Sequence, residues 1–462
     1  MSPAIVYLLS HLLLIPLGAS AALHPSLRDL PAVARLGFAF GSGAILLTME
    51  GLLFSLAGVP WSVASLSAPL LALSAAAFLV ARRRRAASAV LPPPRPLFGS
   101  RSVAVLAGTA LLLGLVHLSL SLATARSTSA DFLFFWGVKA ARFAEAKEIQ
   151  AELLDWTYFG HAVPEYPPLV PVVGAFSVLV AGEMPWRRAP IASVFWVVAA
   201  LPLIYGLFRR RVGSDAAAAV TAFWGSALSI SLAHSYSGGN AEAPLLFFES
   251  VAAAALLTER REESVPSRFL PALAMAGAVL TKVEAVLGVL LLLVGAILRD
   301  RLERRPGVLR QALPLIVLPA LALLSWFAFQ GLSGLPVGYR AHGSFLAITF
   351  AFVGSLATEF PRQLNADTFW LSWLLPLAFL AVSRRFRSAL PGLLPAAGLL
   401  AFFAFDFLHD FQDPAVRIGW TLPRVSQPAL SLTILAAGVA WFGRARQQRS
   451  APGNEVSRVA GA

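Results

Sequence analysis

The chain of 462 residues has no cysteine, only three lysines, and few charged residues, which make up 13% of its composition. The absence of cysteine excludes disulfide bonds, thiolate metal sites and thiol catalysis. Long polar stretches are also scarce, because 57% of the residues are apolar and the mean hydropathy is +0.72. These values exclude a soluble domain. Apolar runs of about 20 residues recur along the whole length, so the sequence predicts an all-α polytopic membrane protein.

The charged residues that are present are strongly basic on balance, with a formal net charge of +13 and a pI near 11.1. Such a balance can indicate nucleic-acid binding, but here the arginines form short clusters between apolar runs. Examples are Arg82 to Arg85 and Arg209 to Arg211. Clusters of this kind mark cytoplasmic loops of membrane proteins. We therefore expect membrane lipids as partners and no nucleic acid.

Hydropathy predicts about 13 crossings, with the N-terminus outside. The first apolar run, residues 3–23, contains Ala19-Ser20-Ala21, which is similar to a signal-peptide cleavage site. It has no basic start and further spans follow at once, so we expect a retained helix. The run from Pro168 to Gly182 is too short for a hydrocarbon core of about 30 Å. We predict that it is short or re-entrant, because every later basic cluster then faces the cytoplasm.

These assignments divide the chain into N-terminal spans and a cytoplasmic loop (1–100), a transmembrane core (101–443) and a cytoplasmic tail (444–462). The segment 269–298 starts and ends at cytoplasmic charges, so it predicts a helical hairpin whose tip is Thr281 to Glu284. Three outer regions are expected: 125–167, 331–367 with Tyr339, Arg340 and His342, and a loop at 410–424. An interfacial helix is predicted within the second of these, around 345–357.

The first outer region contains an unusual mixture of aromatic and charged residues. At helical spacing, residues 131–143 place one set of side chains on a common apolar face: Phe132, Phe135, Trp136, Ala140 and Phe143. Asp131 and Arg142 fall on another side, with Lys139 next to them. This pattern is typical of a helix at the water–lipid boundary with its ionised groups above the membrane. We expect the helix N-terminus to keep Asp131 ionised.

Polar residues that are costly in a membrane recur in four separate segments. They are Asp131 to Arg142, Asn240 to Glu242, Thr281 to Glu284, and Arg424. All four fall on the same predicted outer face, although the topology was derived from arginine clusters alone. Ionisable groups at membrane depth indicate function by default. A transporter more often has such groups at the midplane between repeats, and no internal repeat is present.

The four segments resemble motifs of the GT-C glycosyltransferases. The series Asp131…Trp136-x-x-Lys139-Ala140…Tyr166-Pro167-Pro168-Leu169 is similar to the first extracytoplasmic loop of the bacterial relatives of protein O-mannosyltransferases and of the lipid A aminoarabinose transferase. Gly239-Asn240-Ala241-Glu242-Ala243-Pro244-Leu245 resembles their second acidic motif. Thr281-Lys282-Val283-Glu284-Ala285 resembles their hairpin, and Arg424 a basic residue before the last span. The resemblance covers roughly residues 100 to 443, and Glu242, Val283 and Ala285 replace the usual Asp, Asn and Gly.

The resemblance implies a GT-C-like bundle and an inverting transfer of a sugar from a polyprenyl-phosphate carrier to an envelope acceptor. The site would lie on the extracytoplasmic side of a bacterial inner membrane. The implied catalytic residues are Asp131, as general base, and Glu242. The implied substrate-binding residues are Lys139, Arg142, Tyr166, Lys282, Glu284 and Arg424, of which Lys282 and Arg424 are the first candidates for the phosphate.

Other interpretations of the same residues stay open. Asp131 also suits a helix cap, Lys139 and Arg142 suit membrane phosphates, and Tyr166 suits a structural role in its loop. No metal-ligand spacing is present among the histidines, so no metal and no cofactor are expected. The alternative functions are a lipid-linked-sugar flippase or transporter, and an inactive scaffold subunit.

Overall fold

In the computed structural model the described residues are 1–86, 99–124, 129–154, 166–234, 238–259, 268–337, 352–366, 371–383, 386–408 and 414–449. Within these ranges the regular structure is helical, with no strand. The α-helices are α1 Pro3–Ser10, α2 Leu14–Leu17, α3 Ala19–Ala22, α4 Ala32–Leu56, α5 Val63–Ala86, α6 Arg101–Thr124, α7 Gly137–Ala146, α8 Leu169–Ala181, α9 Ser193–Val212, α10 Ser214–His234, α11 Glu242–Thr258, α12 Phe269–Val279, α13 Ala285–Leu302, α14 Val308–Leu332, α15 Phe352–Ala366, α16 Leu371–Val382, α17 Phe386–Leu408, α18 Pro414–Val425 and α19 Gln427–Arg449.

Eight of the described helices are long and apolar enough to cross a membrane: α4, α5, α6, α9, α10, α14, α17 and α19. Four apolar segments are shorter, namely Pro3–Leu17, Leu169–Ala181, Phe269–Val279 and Ser372–Val382. The prediction of an all-helical membrane protein of the multi-pass class is therefore confirmed. The finer predictions, about 13 crossings in a GT-C arrangement, stay predictions.

Helix α11 forms the centre of the bundle. Its side chains are apolar nearly all round and almost all are buried, as expected of a helix enclosed by others. Helices α9, α12 and α19 pack directly on it. In contrast, α5 and α6 expose most of their apolar side chains, with only 17% of each span buried. Exposed apolar helix faces of this size suit contact with lipid hydrocarbon.

Helix α8 has 13 residues, or about 20 Å, and the starts of α8 and of the next helix, α9, lie at the same end of the bundle. At its start, the Leu169 N–H donates to the Leu280 carbonyl in the hairpin tip at 3.1 Å. Beyond its end, Ser193 at the start of α9 accepts from the Gly239 N–H at 3.0 Å, next to the start of α11. The geometry agrees with the short or re-entrant segment predicted from the arginine clusters.

The helical hairpin predicted for 269–298 is confirmed, since α12 ends at Val279 and α13 begins at Ala285. One further prediction holds in part and another is wrong. Residues 3–23 are helical from Pro3 to Leu17, through a 3₁₀ turn at His11–Leu13, but the helix is interrupted at Gly18, whose backbone lies directly against α4. The third outer region is largely helical (α18), because Ile418, Leu422 and Val425 form a buried stripe at helical spacing.

The predicted interfacial helix around 345–357 is only partly described. Helix α15 begins at Phe352 and continues to Ala366, beyond the predicted end. The residues directly before it, including Tyr339 and Arg340, lie outside the described residues, as do the whole 87–98 loop and the end of the C-terminal tail.

Arginines that the sequence assigned to cytoplasmic surface clusters form a buried ion-pair network, here called the basic-end clamp. Arg268, Arg299 and Arg305 surround Glu259 and Asp300. The Arg268 Nε–Glu259 Oε1 distance is 2.7 Å and the Arg305 Nη1–Glu259 Oε2 distance is 3.1 Å. The clamp joins the end of α11 to the start of α12 and the end of α13. It therefore sets the axial positions of the helices that lead to the opposite end of the bundle.

We predict that Arg299→Met lowers the free energy of unfolding by about 3–5 kcal/mol, because it leaves buried Glu259 and Asp300 short of a cation. Arg301→Met, two residues away on an exposed position, is the matched control and should change stability little. Tryptophan-fluorescence melts of the two purified variants test this. Equal melting shifts would contradict a stabilising role for the clamp.

Candidate active site

Five segments distant in sequence meet at the end of the bundle opposite the basic-end clamp. Asp131 lies just before α7, Tyr166 just before α8, Glu242 at the start of α11, Lys282 and Glu284 in the α12–α13 turn, and Arg424 near the end of α18. Six of the eight site residues predicted from the sequence thus come together.

The six side chains form one continuous chain of contacts, here called the charge chain. Arg424 pairs with Asp131 through Nη1, and its Nε lies 3.3 Å from Glu242 Oε1. Lys282 Nζ lies 3.2 Å from the same Glu242 oxygen and 3.4 Å from Glu284 Oε1. The Tyr166 hydroxyl donates to Glu284 Oε1 at 3.2 Å. Each cation is therefore shared by two carboxylates.

The loop before α11 places Asp131 beside Glu242. Gly239 has a φ of +82°, and a Cβ there would lie 2.6 Å from the Phe132 ring, so glycine permits both the turn and the close contact. The Ser129 hydroxyl donates to Asn240 Oδ1 at 3.0 Å. Immediately after Asp131 the chain makes a π-helical turn, Phe132–Trp136, a feature frequent at functional sites.

Tyr166 is held by stacking as well as by its hydrogen bond. Its ring lies parallel to that of buried Trp136, with centroids 5.3 Å apart and an interplanar angle of 4°. This contact links the Asp131 segment to the start of α8. Parallel aromatic pairs add about 0.5–1.5 kcal/mol beyond area burial.

Burial and the neighbouring charges shift the proton equilibria of three site residues outside the membrane-spanning helices. Burial raises the pKa of Asp131 above 3.8, and nearby Glu242 adds to the effect although Arg424 opposes it. Desolvation is the largest cause, and it acts against the helix N-terminus, which was expected to favour the ionised form of Asp131. Burial also raises the pKa of Tyr166 well above its usual range, so it remains a phenol that can donate.

Lys282 shows the opposite balance. Burial by itself lowers the pKa of this amine, but the carboxylates of Glu242 and Glu284 raise it above its ordinary value. Lys282 is therefore a fixed cation at neutral pH. In the low dielectric of the site, a fixed cation interacts strongly with any anionic group that approaches it.

Several polar atoms of the charge chain have unused hydrogen-bonding capacity. Within the described part of the chain, Glu242 Oε2, Glu284 Oε2 and Arg424 Nε are buried without a hydrogen-bond partner; the Arg424 Nε contact with Glu242 is an ion pair only. Unsatisfied buried polar atoms are unfavourable and call for an explanation. Here they leave both a donor and acceptors for a polar ligand.

The remaining two predicted site residues are placed differently. Arg142 is exposed and pairs with Glu145 at 2.9 Å, outside the charge chain. Lys139 was expected above the apolar face, but it is buried, with 1% of its surface exposed. The apolar face itself is present in Phe132, Trp136 and Phe143, yet α7 packs on α8 rather than lying on lipid.

One polar residue near the site was missed from the sequence. Glu249 lies on α11, seven positions after Glu242, and faces a small cavity that the charge chain also lines. A lone acid inside the apolar run that follows Glu242, residues 243–258, was the signal that could have identified it.

Among the described residues, no group of three or more potential protein ligands is arranged to hold a metal ion. The metal-independent chemistry expected from the sequence stays a prediction.

No protein-family model, no curated protein and no solved structure matches this chain. Its class follows from the fold and the site. It is an all-helical membrane protein of the multi-pass class, with a partly buried chain of alternating charges at one end of the bundle.

We predict that the Asp131–Arg424 pair is energetically coupled. A double-mutant cycle with Asp131→Asn and Arg424→Met should give a coupling energy of about 1 kcal/mol, since both side chains keep some contact with solvent that screens the pair. Unfolding titrations with SDS in mixed micelles measure it. The exposed Arg142–Glu145 pair is the control cycle, and equal coupling in both would contradict the prediction.

Proposed function

We propose that the protein is a glycosyltransferase that moves a sugar from a polyprenyl-phosphate carrier to an acceptor at the extracytoplasmic face of a bacterial inner membrane. The observation that supports this most directly is the charge chain. It joins the four sequence segments that resemble GT-C motifs, which lie as far apart as Asp131 and Arg424. Residues from four separate sequence segments therefore lie in one cluster, and this cluster contains the acids and the cations that the proposed reaction requires.

The proposed reaction needs a base and a site for a leaving anion. The acceptor hydroxyl oxygen forms a bond to the anomeric carbon as the bond from that carbon to the phosphate oxygen breaks. The hydroxyl proton passes to Asp131, and the electron pair of the broken bond leaves with the lipid phosphate. A pKa raised by burial makes Asp131 a better proton acceptor than an ordinary aspartate. Attack opposite the leaving group inverts the anomeric configuration.

The developing phosphate charge requires cations in a water-poor site. Lys282 and Arg424 are the cations of the charge chain, and Arg424 Nε is still available to donate. A phosphate at Arg424 would compete with Asp131 for the guanidinium. In this proposal donor binding therefore weakens the Asp131–Arg424 pair and frees the carboxylate to accept a proton.

A prenyl chain requires an apolar groove, and the bundle contains one. A cavity of about 470 Å³ lies between the N-terminal segment, α4, α6, α9 and α10, with Leu36, Leu111 and Val198 among its walls. Its lining is almost wholly apolar. A separate, smaller cavity is lined by His11, Trp196 and Asn240. The volume of the larger, apolar cavity suits part of a long chain, with the remainder in lipid.

The central experiment uses the full chain in proteoliposomes with tritium-labelled sugars on undecaprenyl phosphate, and inner-membrane extract as acceptor. We expect label transfer by the wild type. Asp131→Asn should lower the rate by about 10²–10⁴-fold, the usual contribution of a general base.

Asp29→Asn is the matched control, because Asp29 is an exposed aspartate outside the charge chain. Equal transfer by wild type and Asp131→Asn would remove the catalytic base. Translocation of the labelled lipid by the wild type without any transfer would instead favour the flippase or transporter alternative.

The pH dependence of transfer provides a further prediction. Asp131 must be ionised to act, so the rate should fall on acidification with a midpoint above 3.8, the ordinary value for aspartate. Arg424 lowers the pKa of Asp131, and Arg424→Met should therefore move the midpoint to higher pH in its residual activity. Rate–pH profiles under donor saturation measure both. A midpoint that stays in place or moves to lower pH would contradict this assignment.

A further inference from the structure

A small cavity lies directly beneath the charge chain, between α11, the α12–α13 turn, α17 and the α18–α19 corner. Its volume is about 20 Å³, which holds one group the size of a water molecule. Its polar lining comprises Glu242, Lys282, Glu284 and Arg424 on the upper side and Glu249 below. Phe403 and other apolar side chains close the remaining walls. The cavity is thus continuous with the proposed site but deeper in the bundle.

The floor of this cavity is an acid without a partner. Glu249 is 2% exposed, and no donor among the described residues reaches its Oε2. It lies two helical turns, about 10 Å, below Glu242 on the same face of α11. An unpartnered carboxyl group in a dry interior is unfavourable, and such groups mark function more often than structure.

Helix α13 is shaped to admit this carboxyl group. Gly288 faces Glu249, and a methyl group at position 288 would overlap Glu249 Oε1. The absence of a side chain at 288 lets the two helices approach while the carboxyl group keeps its place. The overlapping atom is at the end of a flexible side chain, so a methyl group there would displace the carboxyl group without disrupting the backbone.

We propose that this cavity is a binding subsite for one hydrogen-bond-donating group of the transferred sugar, a hydroxyl or an ammonium, with Glu249 as its acceptor. The inference rests on the proposed function, and it assigns the part of the substrate that the charge chain does not contact. Glu249 is then a specificity-determining residue.

The side chains that line the cavity favour a hydrogen-bond-donating group over other parts of the substrate. Glu242 Oε2, Glu249 Oε2 and Glu284 Oε2 are all acceptors without a partner among the described residues. Three oxygens of acidic side chains without a donor disfavour a phosphate group here and favour a hydrogen-bond donor. The volume excludes a sugar ring but accommodates a single substituent. The lipid phosphate therefore belongs above the cavity, at Lys282 and Arg424.

Binding measurements on the full chain in nanodiscs test the subsite. The probes are undecaprenyl phosphate, undecaprenyl-phosphate arabinose and its amino-deoxy analogue, in which an ammonium replaces one hydroxyl. Glu249→Leu should weaken binding of at least one sugar-bearing lipid by about 10–100-fold, the effect of losing a hydrogen bond to a charged group. Binding of undecaprenyl phosphate should not change. Gly288→Ala should act in the same direction by displacing the carboxyl group.

Glu249→Gln distinguishes the two donors. Gln keeps an acceptor oxygen but cannot ionise, so a hydroxyl is tolerated, whereas an ammonium loses its ion pair and binds more weakly than to the wild type, though less weakly than to Glu249→Leu. Glu50→Gln is the matched control. Glu50 is also a buried acid with an unpartnered Oε2 among the described residues, but it lies on α4 and does not line this cavity.

Two results would overturn the subsite. One is unchanged affinity of Glu249→Leu for every probe, which would mean that the cavity holds water only. The other is an equal loss of affinity for undecaprenyl phosphate, which would indicate a structural role. The proposed function is tested separately by label transfer. Glu249-dependent binding without transfer would reject the transferase, and transfer that is insensitive to Glu249 and Gly288 would reject only the subsite.

Discussion

Two cations shared among three carboxylates hold together the end of the bundle that contains the candidate site. Arg424 and Lys282 both contact Glu242, and each contacts one further acid. Removal of either buried member, Glu242 or Lys282, leaves an uncompensated charge in a low-dielectric interior, which costs far more than a solvated ion pair contributes. The positions of α11, α18 and the α12–α13 turn are thereby coupled. Some donor and acceptor atoms of these side chains still have no hydrogen-bond partner among the described residues, so the charge chain can form hydrogen bonds to a polar ligand.

The bundle has a second charged layer at its other end, and helix α11 contributes residues to both layers. The basic-end clamp joins α11, α12 and α13 through Glu259, Arg268 and Asp300. Between the clamp and Glu242, helix α11 is buried and mostly apolar. Because a helix is stiff along its axis, a clamp at one end determines the height of the carboxylate at the other. Glu249 is the only acid between Glu242 and Glu259 on α11, and Gly288 of the neighbouring helix makes room for it.

Much of the fold could be predicted because hydropathy and charge are local properties. The hairpin of α12 and α13 followed from charge clusters at both of its ends, and the short α8 followed from its length. The failures have physical causes. Lys139 seemed a surface residue because helical spacing does not show what packs on the polar side. Helix α18 was missed because its buried stripe of Ile418, Leu422 and Val425 lies among polar residues and turns. Arg268 and Arg299 were counted as loop charges, although neighbouring acids bury them.

The sequence by itself determined that this is a helical membrane protein and that its exceptional polar residues lie in four separate segments. Both conclusions depend on composition over about 20 residues, the scale on which a bilayer selects helices. Only the tertiary structure decided which charges pair, that Tyr166 stacks on Trp136, and that Glu249 shares a cavity with Lys282. Such contacts join residues up to hundreds of positions apart. They depend on the rotation and height of each packed helix, which no local pattern of residues specifies.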